Sequence, residues 1–196
     1  MPAVLVDIDD TLADTQTQLL GYVNARASRR YAFNELTNEF RQGIGPGKEY
    51  DDLVTFAMRD PALIARAEPF DGALEAMKKL KEAGHEVHIA SSRREILHGI
   101  TKDWLKRHGF IKYIDGIHPR SSDKGGGEFK IFTARKLGTA AAFDDTYEVA
   151  AALAAEGVKV YLIEKPWNRL EPLLPNMELA AGFDAAVDDF LLTCPV

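Results

Sequence analysis

Apolar positions along the chain follow two kinds of pattern, and the change between them divides the molecule. Residues 3–8 read A-V-L-V-D-I, a short β-branched run that predicts a strand buried on both faces. Residues 14–27 carry Leu19, Leu20 and Val23 on one face and predict a helix. From residue 30 to residue 69 the pattern breaks into short helical stretches around a Gly45-Pro46-Gly47 turn, with no convincing strand. Beyond residue 70 it becomes regular. Helices are predicted over 71–83, 94–108, 128–137 and 146–156, each closed by a glycine (Gly84, Gly109, Gly138, Gly157) suited to a helix C-terminus. Strands are predicted over 85–90, 113–117, 140–143 and 158–163, and a last helix over 183–192 follows a proline-scattered stretch.

Strands alternating with helices imply an α/β fold: a three-layer, Rossmann-like parallel sheet with helices on both faces. The core is expected from residues 1–14 and 70–196, with residues 15–69 as a small helical insertion. The chain has 196 residues, 46% hydrophobic and 28% charged, as in ordinary globular proteins. No apolar run approaches the ~18 residues of a membrane span. There is no basic-then-apolar leader, and Cys194 has no second cysteine to pair with, so a cytoplasmic location is expected. The net charge of −6, with only short basic clusters, argues against a nucleic-acid partner.

In open α/β sheets ligands bind beyond the carboxyl ends of the strands. Those ends carry Asp7-Ile8-Asp9-Asp10-Thr11, then Ser91-Ser92-Arg93, then Asp144-Asp145. Five aspartates at one rim repel one another unless a cation intervenes, and Mg²⁺ suits carboxylates plus phosphate and water. Elsewhere, the run from Gly43 to Glu49 falls short of a phosphate-binding P-loop in spacing and lacks a preceding strand. The five histidines show no metal-binding spacing, and no dinucleotide fingerprint is present.

The motifs V-L-V-D-I-D-D-T-L, H-I-A-S-S-R and F-D-D, with a lysine upstream of the last, stand in the order found in the haloacid dehalogenase (HAD) superfamily, which the chain resembles from Val4 to Asp145. The resemblance implies a Mg²⁺-dependent phosphomonoester hydrolase. Asp7 would be the nucleophile, forming an aspartyl-phosphate, and Asp9 the general acid and base. Asp7, the Asp9 carbonyl, Asp144 and Asp145 would hold the metal, while Ser91, Ser92 and a lysine would bind phosphate. Lys130 is preferred to Lys124 for that lysine because it opens a helix. Arg93 would contact phosphate or pair with an aspartate, and Asp10 would be a cap or face solvent. Residues 15–69 would be a small cap that closes over the site.

A finer likeness joins F-D-D-T-Y-E-V-A and G-V-K-V-Y-L-I-E-K-P-W-N to the 5′(3′)-deoxyribonucleotidase and polynucleotide-phosphatase branch. It implies a small phosphorylated substrate, such as a nucleoside 5′-monophosphate. Trp167 would stack on a base or pack against the cap. The Ser91-Ser92-Arg93 run departs from that pattern by lacking its usual glycine or asparagine. Two alternatives stand beside this reading: a phosphatase of nucleic-acid ends, and a non-catalytic HAD-like binding protein. No feature of the sequence bears on oligomeric state.

Overall fold

The computed structural model describes residues 2–120 and 125–193. Six strands form one sheet: β1 (Ala3–Val6), β2 (Glu86–Arg94), β3 (Gly116–Arg120), β4 (Ala141–Asp144), β5 (Lys159–Ile163) and β6 (Met177–Ala180). Their order is β3-β2-β1-β4-β5-β6, and every pairing is parallel. The chain first grows the sheet from β1 toward β3, then returns to β1 and grows it the other way. That reversal opens a crevice at the carboxyl ends of β1 and β4, where such sheets bind ligands.

Strict two-residue alternation sorts the strand side chains between two cores. Val4, Val6, Ile89, Phe143 and Tyr161 pack on one face with α5 (Ala73–Glu82), α6 (His98–Arg107) and α9 (Phe183–Thr193). Leu5, Ala90, Ala142, Val160 and Leu162 pack on the other with α7 (Gly126–Leu137) and α8 (Tyr147–Ala155). Apolar strands covered on both sides explain why they read as continuous hydrophobic runs.

Between β1 and α5 lies the helical insertion: α1 (Thr15–Asn24), α2 (Asn38–Arg41), α3 (Lys48–Ala57) and α4 (Pro61–Ile64). It has a small aromatic core of its own. Tyr31, Phe40 and Tyr50 meet at ring separations of 5.4 to 5.6 Å, and Trp167 from the segment after β5 completes the cluster. The chain enters and leaves through adjacent strands of backbone, with Asp14 N–H on the Glu68 carbonyl (2.8 Å) and Phe70 N–H on the Leu12 carbonyl (2.9 Å).

Several elements differ from the sequence expectation, most instructively at β1, β2, β3 and β6. The first strand ends at Val6, not at residue 8, because Asp10 takes a left-handed conformation (φ 59°) and turns the chain. Strand β2 runs on to Arg94 with a register shift against β3 between Ser91 and Arg94, so the Ser-Ser-Arg run lies within the strand's irregular end. Strand β3 starts at Gly116 instead of residue 113, since Asp115 uses its N–H on the Val87 carbonyl and its carboxylate on the Val87 N–H. Strand β6, four residues at the sheet edge just after Pro175, was not expected at all.

Candidate active site

Asp7 stands immediately after β1, its N–H still bonded to the Phe143 carbonyl of β4 at 3.0 Å. That bond fixes the nucleophile candidate at the crevice between the two strands. Lys130, in the first turns of α7, is almost fully buried and reaches both sides of the crevice. Its Nζ lies 2.9 Å from Asp7 Oδ1 and 2.6 Å from Asp144 Oδ2. Burial alone would depress the lysine's pKa, but Asp144 and Asp7 outweigh it and hold the ammonium firmly charged. Lys124 lies outside the described residues, as does Cys194.

Asp9 is held differently. Arg93 donates Nε and Nη2 to its two oxygens at 2.9 and 2.7 Å, and the Thr15 hydroxyl adds a third bond of 2.6 Å. Burial pushes the Asp9 carboxyl up, yet the Arg93 charge and these bonds prevail and leave it below the usual range. The remaining Arg93 nitrogen faces the Thr101 hydroxyl at 3.4 Å. Of the two roles open to Arg93, the geometry shows the pairing with an aspartate, and the residue also lines the cavity described below.

The two serines also separate. Ser91 is buried, and its Oγ accepts the Arg93 N–H at 3.2 Å, turned away from the cavity where a phosphoryl contact was expected. Ser92, the next residue, opens onto that cavity. The period-two alternation of β2 makes the two serines exclusive choices. Gly126 matters here: a Cβ at that position would lie 2.6 Å from Ser92 Oγ, so glycine lets α7 start this close without displacing the serine hydroxyl.

Asp144 and Asp145 end β4. The Asp144 carboxylate also accepts the Thr146 N–H at 3.0 Å. Asp145 receives the Trp167 indole N–H at 3.0 Å, and Asn168 clamps its carbonyl at 2.7 Å. Oxygens of Asp7, Asp144 and Asp145 all lie within 4.8 Å of one another, and all three residues are buried. Burial, then the neighbouring carboxylates of Asp144, Asp145 and Asp9, push Asp7 well above the normal range against the pull of Lys130. Asp145 is pushed up to about 7 by burial, Asp10 and Asp144. An all-oxygen donor set whose charges are this crowded fits a hard divalent cation such as Mg²⁺. Asp14 is the N-cap of α1; Asp10 accepts the Gln16 N–H of the helix's first turn at 2.8 Å and is buried, so it does not face solvent.

These groups surround a cavity of about 150 Å³. Asp7, Asp9 and Lys130 line it from the core; Arg41 and Met58 line it from the insertion. The sequence reading missed both insertion residues, together with Thr15 and Thr146. A lone arginine in a segment without periodicity gives no signal. The packing role of Trp167 holds: its ring lies against Phe33 (5.9 Å) and Arg41 (4.1 Å) in the aromatic core of the insertion.

Among solved structures, the protein aligns with a predicted phosphatase from Clostridium acetobutylicum (TM-score 0.68, 14% identity, 97% of this chain and 98% of that one). It aligns comparably with the L-2-haloacid dehalogenase of Xanthobacter autotrophicus (TM-score 0.66, 10% identity, all of both chains). A fold shared by phosphatases and dehalogenases does not by itself choose between them. Sequence does. A Bacillus cereus protein named "Putative nucleotidase" is 26% identical over 167 residues, 83% of this chain and 86% of that protein. A Staphylococcus aureus protein named "Putative 5′(3′)-deoxyribonucleotidase" is 27% identical over 118 residues, 59% of this chain and 63% of that protein. The model of the family described as 5′ nucleotidase, deoxy (Pyrimidine), cytosolic type C matches residues 1–136, which span every motif up to and including Lys130. With Asp7, Lys130 and the acidic pair Asp144-Asp145 converging on one crevice, the chain belongs to this 5′-nucleotidase family and is a phosphatase of the HAD superfamily.

Proposed function

We propose that the protein hydrolyses a small phosphomonoester, in the first place a nucleoside 5′-monophosphate, through an aspartyl-phosphate on Asp7 with Mg²⁺ as cofactor. The observation that carries this reading is the Lys130 ammonium bridging Asp7 and Asp144 at 2.9 and 2.6 Å, with Asp9 two residues on. The order of events follows from what each group can do. An Asp7 oxygen attacks phosphorus as the phosphorus–oxygen bond to the leaving group breaks, and Asp9 gives that oxygen a proton. Asp9, now a carboxylate, takes a proton from water; the water attacks phosphorus, releasing inorganic phosphate and restoring Asp7. Lys130 and the Ser92 hydroxyl balance charge on the phosphoryl oxygens. Asp7, Asp144, Asp145 and the Asp9 carbonyl would hold Mg²⁺, which would supply the further neutralisation that transfer to an anionic nucleophile needs.

The grip of Arg93 on Asp9 has a mechanistic meaning in this scheme. Asp9 bound to Arg93 is ionised, the state required for the second half-reaction. To donate a proton in the first it must loosen from Arg93, and substrate binding beneath residues 15–69, acting as a cap, supplies the occasion. The acidic net charge and the roof of Arg41 and Met58 favour a compact substrate over a nucleic-acid end. Hydrolysis of p-nitrophenyl phosphate should require Mg²⁺ and drop at least ~10³-fold in Asp7→Asn. A panel of nucleoside monophosphates, sugar phosphates and 3′-phosphorylated oligonucleotides then tests the substrate. Activity that survives EDTA would remove the metal, and preference for sugar phosphates would remove the nucleotide.

A further inference from the structure

One cation of the cavity comes from the insertion, and among the described residues its donors meet no hydrogen-bond acceptor. Arg41 is the last residue of α2, and its guanidinium carbon lies 4.1 Å from the centre of the Trp167 ring. It lines the same cavity as Asp7, Ser92 and Lys130. The other two cations there are already engaged: Lys130 with Asp7 and Asp144, Arg93 with Asp9 and Thr101. Arg41 influences Asp10, Asp145 and Tyr50 through its charge, but no carboxylate among the described residues comes within ion-pair distance of it.

Its position is nonetheless set from below. The Trp167 N–H is anchored on Asp145 at 3.0 Å, which fixes the ring that the guanidinium covers. A guanidinium lying on an aromatic face is held by ~0.5–2 kcal/mol and keeps its in-plane N–H fork free. That fork matches two oxygens of a phosphoryl group, which an ammonium cannot do. Because the residue belongs to the insertion, binding an anion through it also ties the insertion down onto the core.

We propose that Arg41 is a substrate-binding residue, which engages non-bridging oxygens of the substrate phosphoryl group from the cap side and so couples occupancy of the site to cap closure. The assignment rests on the phosphomonoesterase reading above. The competing role is structural, with Arg41 only packing on Trp167 and balancing Asp10 and Asp145.

The test compares Arg41→Met, which keeps the apolar stem on Trp167, with Arg41→Lys, which keeps the charge without the fork. Arg26→Met is the control, an exposed arginine of the same insertion that lies 3.6 Å over the Tyr22 ring, away from the cavity. With Mg²⁺ in excess, inorganic phosphate is titrated by its effect on the melting temperature, and KM for p-nitrophenyl phosphate is measured in parallel. Arg41→Met should weaken phosphate binding by ~10-fold or more and raise KM by a similar factor, with Arg41→Lys between it and wild type and Arg26→Met unchanged. If wild type hydrolyses the ester and Arg41→Met retains its phosphate affinity and KM, the assignment falls while the enzymatic reading stands. If wild type neither binds phosphate nor hydrolyses the ester, both fall. Should Arg41→Met fail to fold, Arg41→Lys decides alone: a loss of phosphate affinity of threefold or more supports the role, and none overturns it.

Discussion

The floor and the roof of the cavity are built on opposite principles. The floor is made of strand ends, where Asp7, Asp144 and Asp145 are buried, and Lys130 and Trp167 bond them at 2.6 to 3.0 Å. Its geometry is rigid because the sheet is covered on both faces. The roof is a string of short helices around a few aromatic rings, joined to the core by two adjacent linkers, the Trp167 contact and side-chain bonds that include Thr15 to Asp9, Asn38 to Glu148 and Trp104 to the Ala67 carbonyl. On the proposed function the reacting groups sit on the floor, and the roof adds Arg41 and Met58 to the same cavity.

The sharpest way to break this contrast is to remove the cation at the floor's centre. Lys130→Met leaves Asp7 and Asp144 without a partner, so it should abolish turnover and cost ~3–5 kcal/mol of stability in denaturant melts at neutral pH. A variant of wild-type stability would show that the floor is not held by this ion pair.

A second test uses pH. Asp10 and Asp145 are both raised to about 7 in the folded protein, in each case first by burial; Asp9 adds to the rise at Asp10, and Asp10 and Asp144 add to it at Asp145. The ordinary aspartate value is 3.8. Between those values the folded state holds protons that the unfolded chain has lost, so stability is present at low pH and declines as pH rises through about 7. The melting temperature of metal-free protein should therefore fall from pH 5 to pH 8 by several degrees, on the order of 5 °C, and excess Mg²⁺ should reduce the fall. Asp145→Asn should flatten the profile. An unchanged slope in that variant would place the strain elsewhere.

The smallest expected effect probes the joint between floor and roof. Trp167→Phe keeps the ring in the aromatic core but deletes the bond to Asp145. Half-saturation by Mg²⁺ should rise ~10-fold, while stability without metal changes by only ~1 kcal/mol. Equal metal affinity in the two proteins would mean that Trp167 serves the roof alone.

Legibility followed the same division. The floor was readable because its residues are tied to strands, and strands announce themselves by apolar runs. Asp7, Asp9, Asp144 and Asp145 each stand at or just beyond the end of such a run, and Lys130 lies in the first turns of a helix that a run of glycines begins. Errors arose where local pattern and long-range partner disagree. Ser91 and Ser92 look equivalent in sequence, and only the pleat of β2 against β3 turns one toward Arg93 and the other to the cavity. Strand β6 has too few residues to show a period and exists because β5 offers it an edge.

The order of motifs, the two-faced parallel sheet and the identity of the acidic cluster were determined by sequence alone, because alternation, glycine-capped helices and strand-end carboxylates are local features of the chain. Which partner each charge takes was decided only by the tertiary structure. Arg93 on Asp9, Trp167 on Asp145 and Arg41 over the cavity join residues 84, 22 and 126 positions apart or brought from separate layers, and their energies depend on burial and distance that no local pattern encodes.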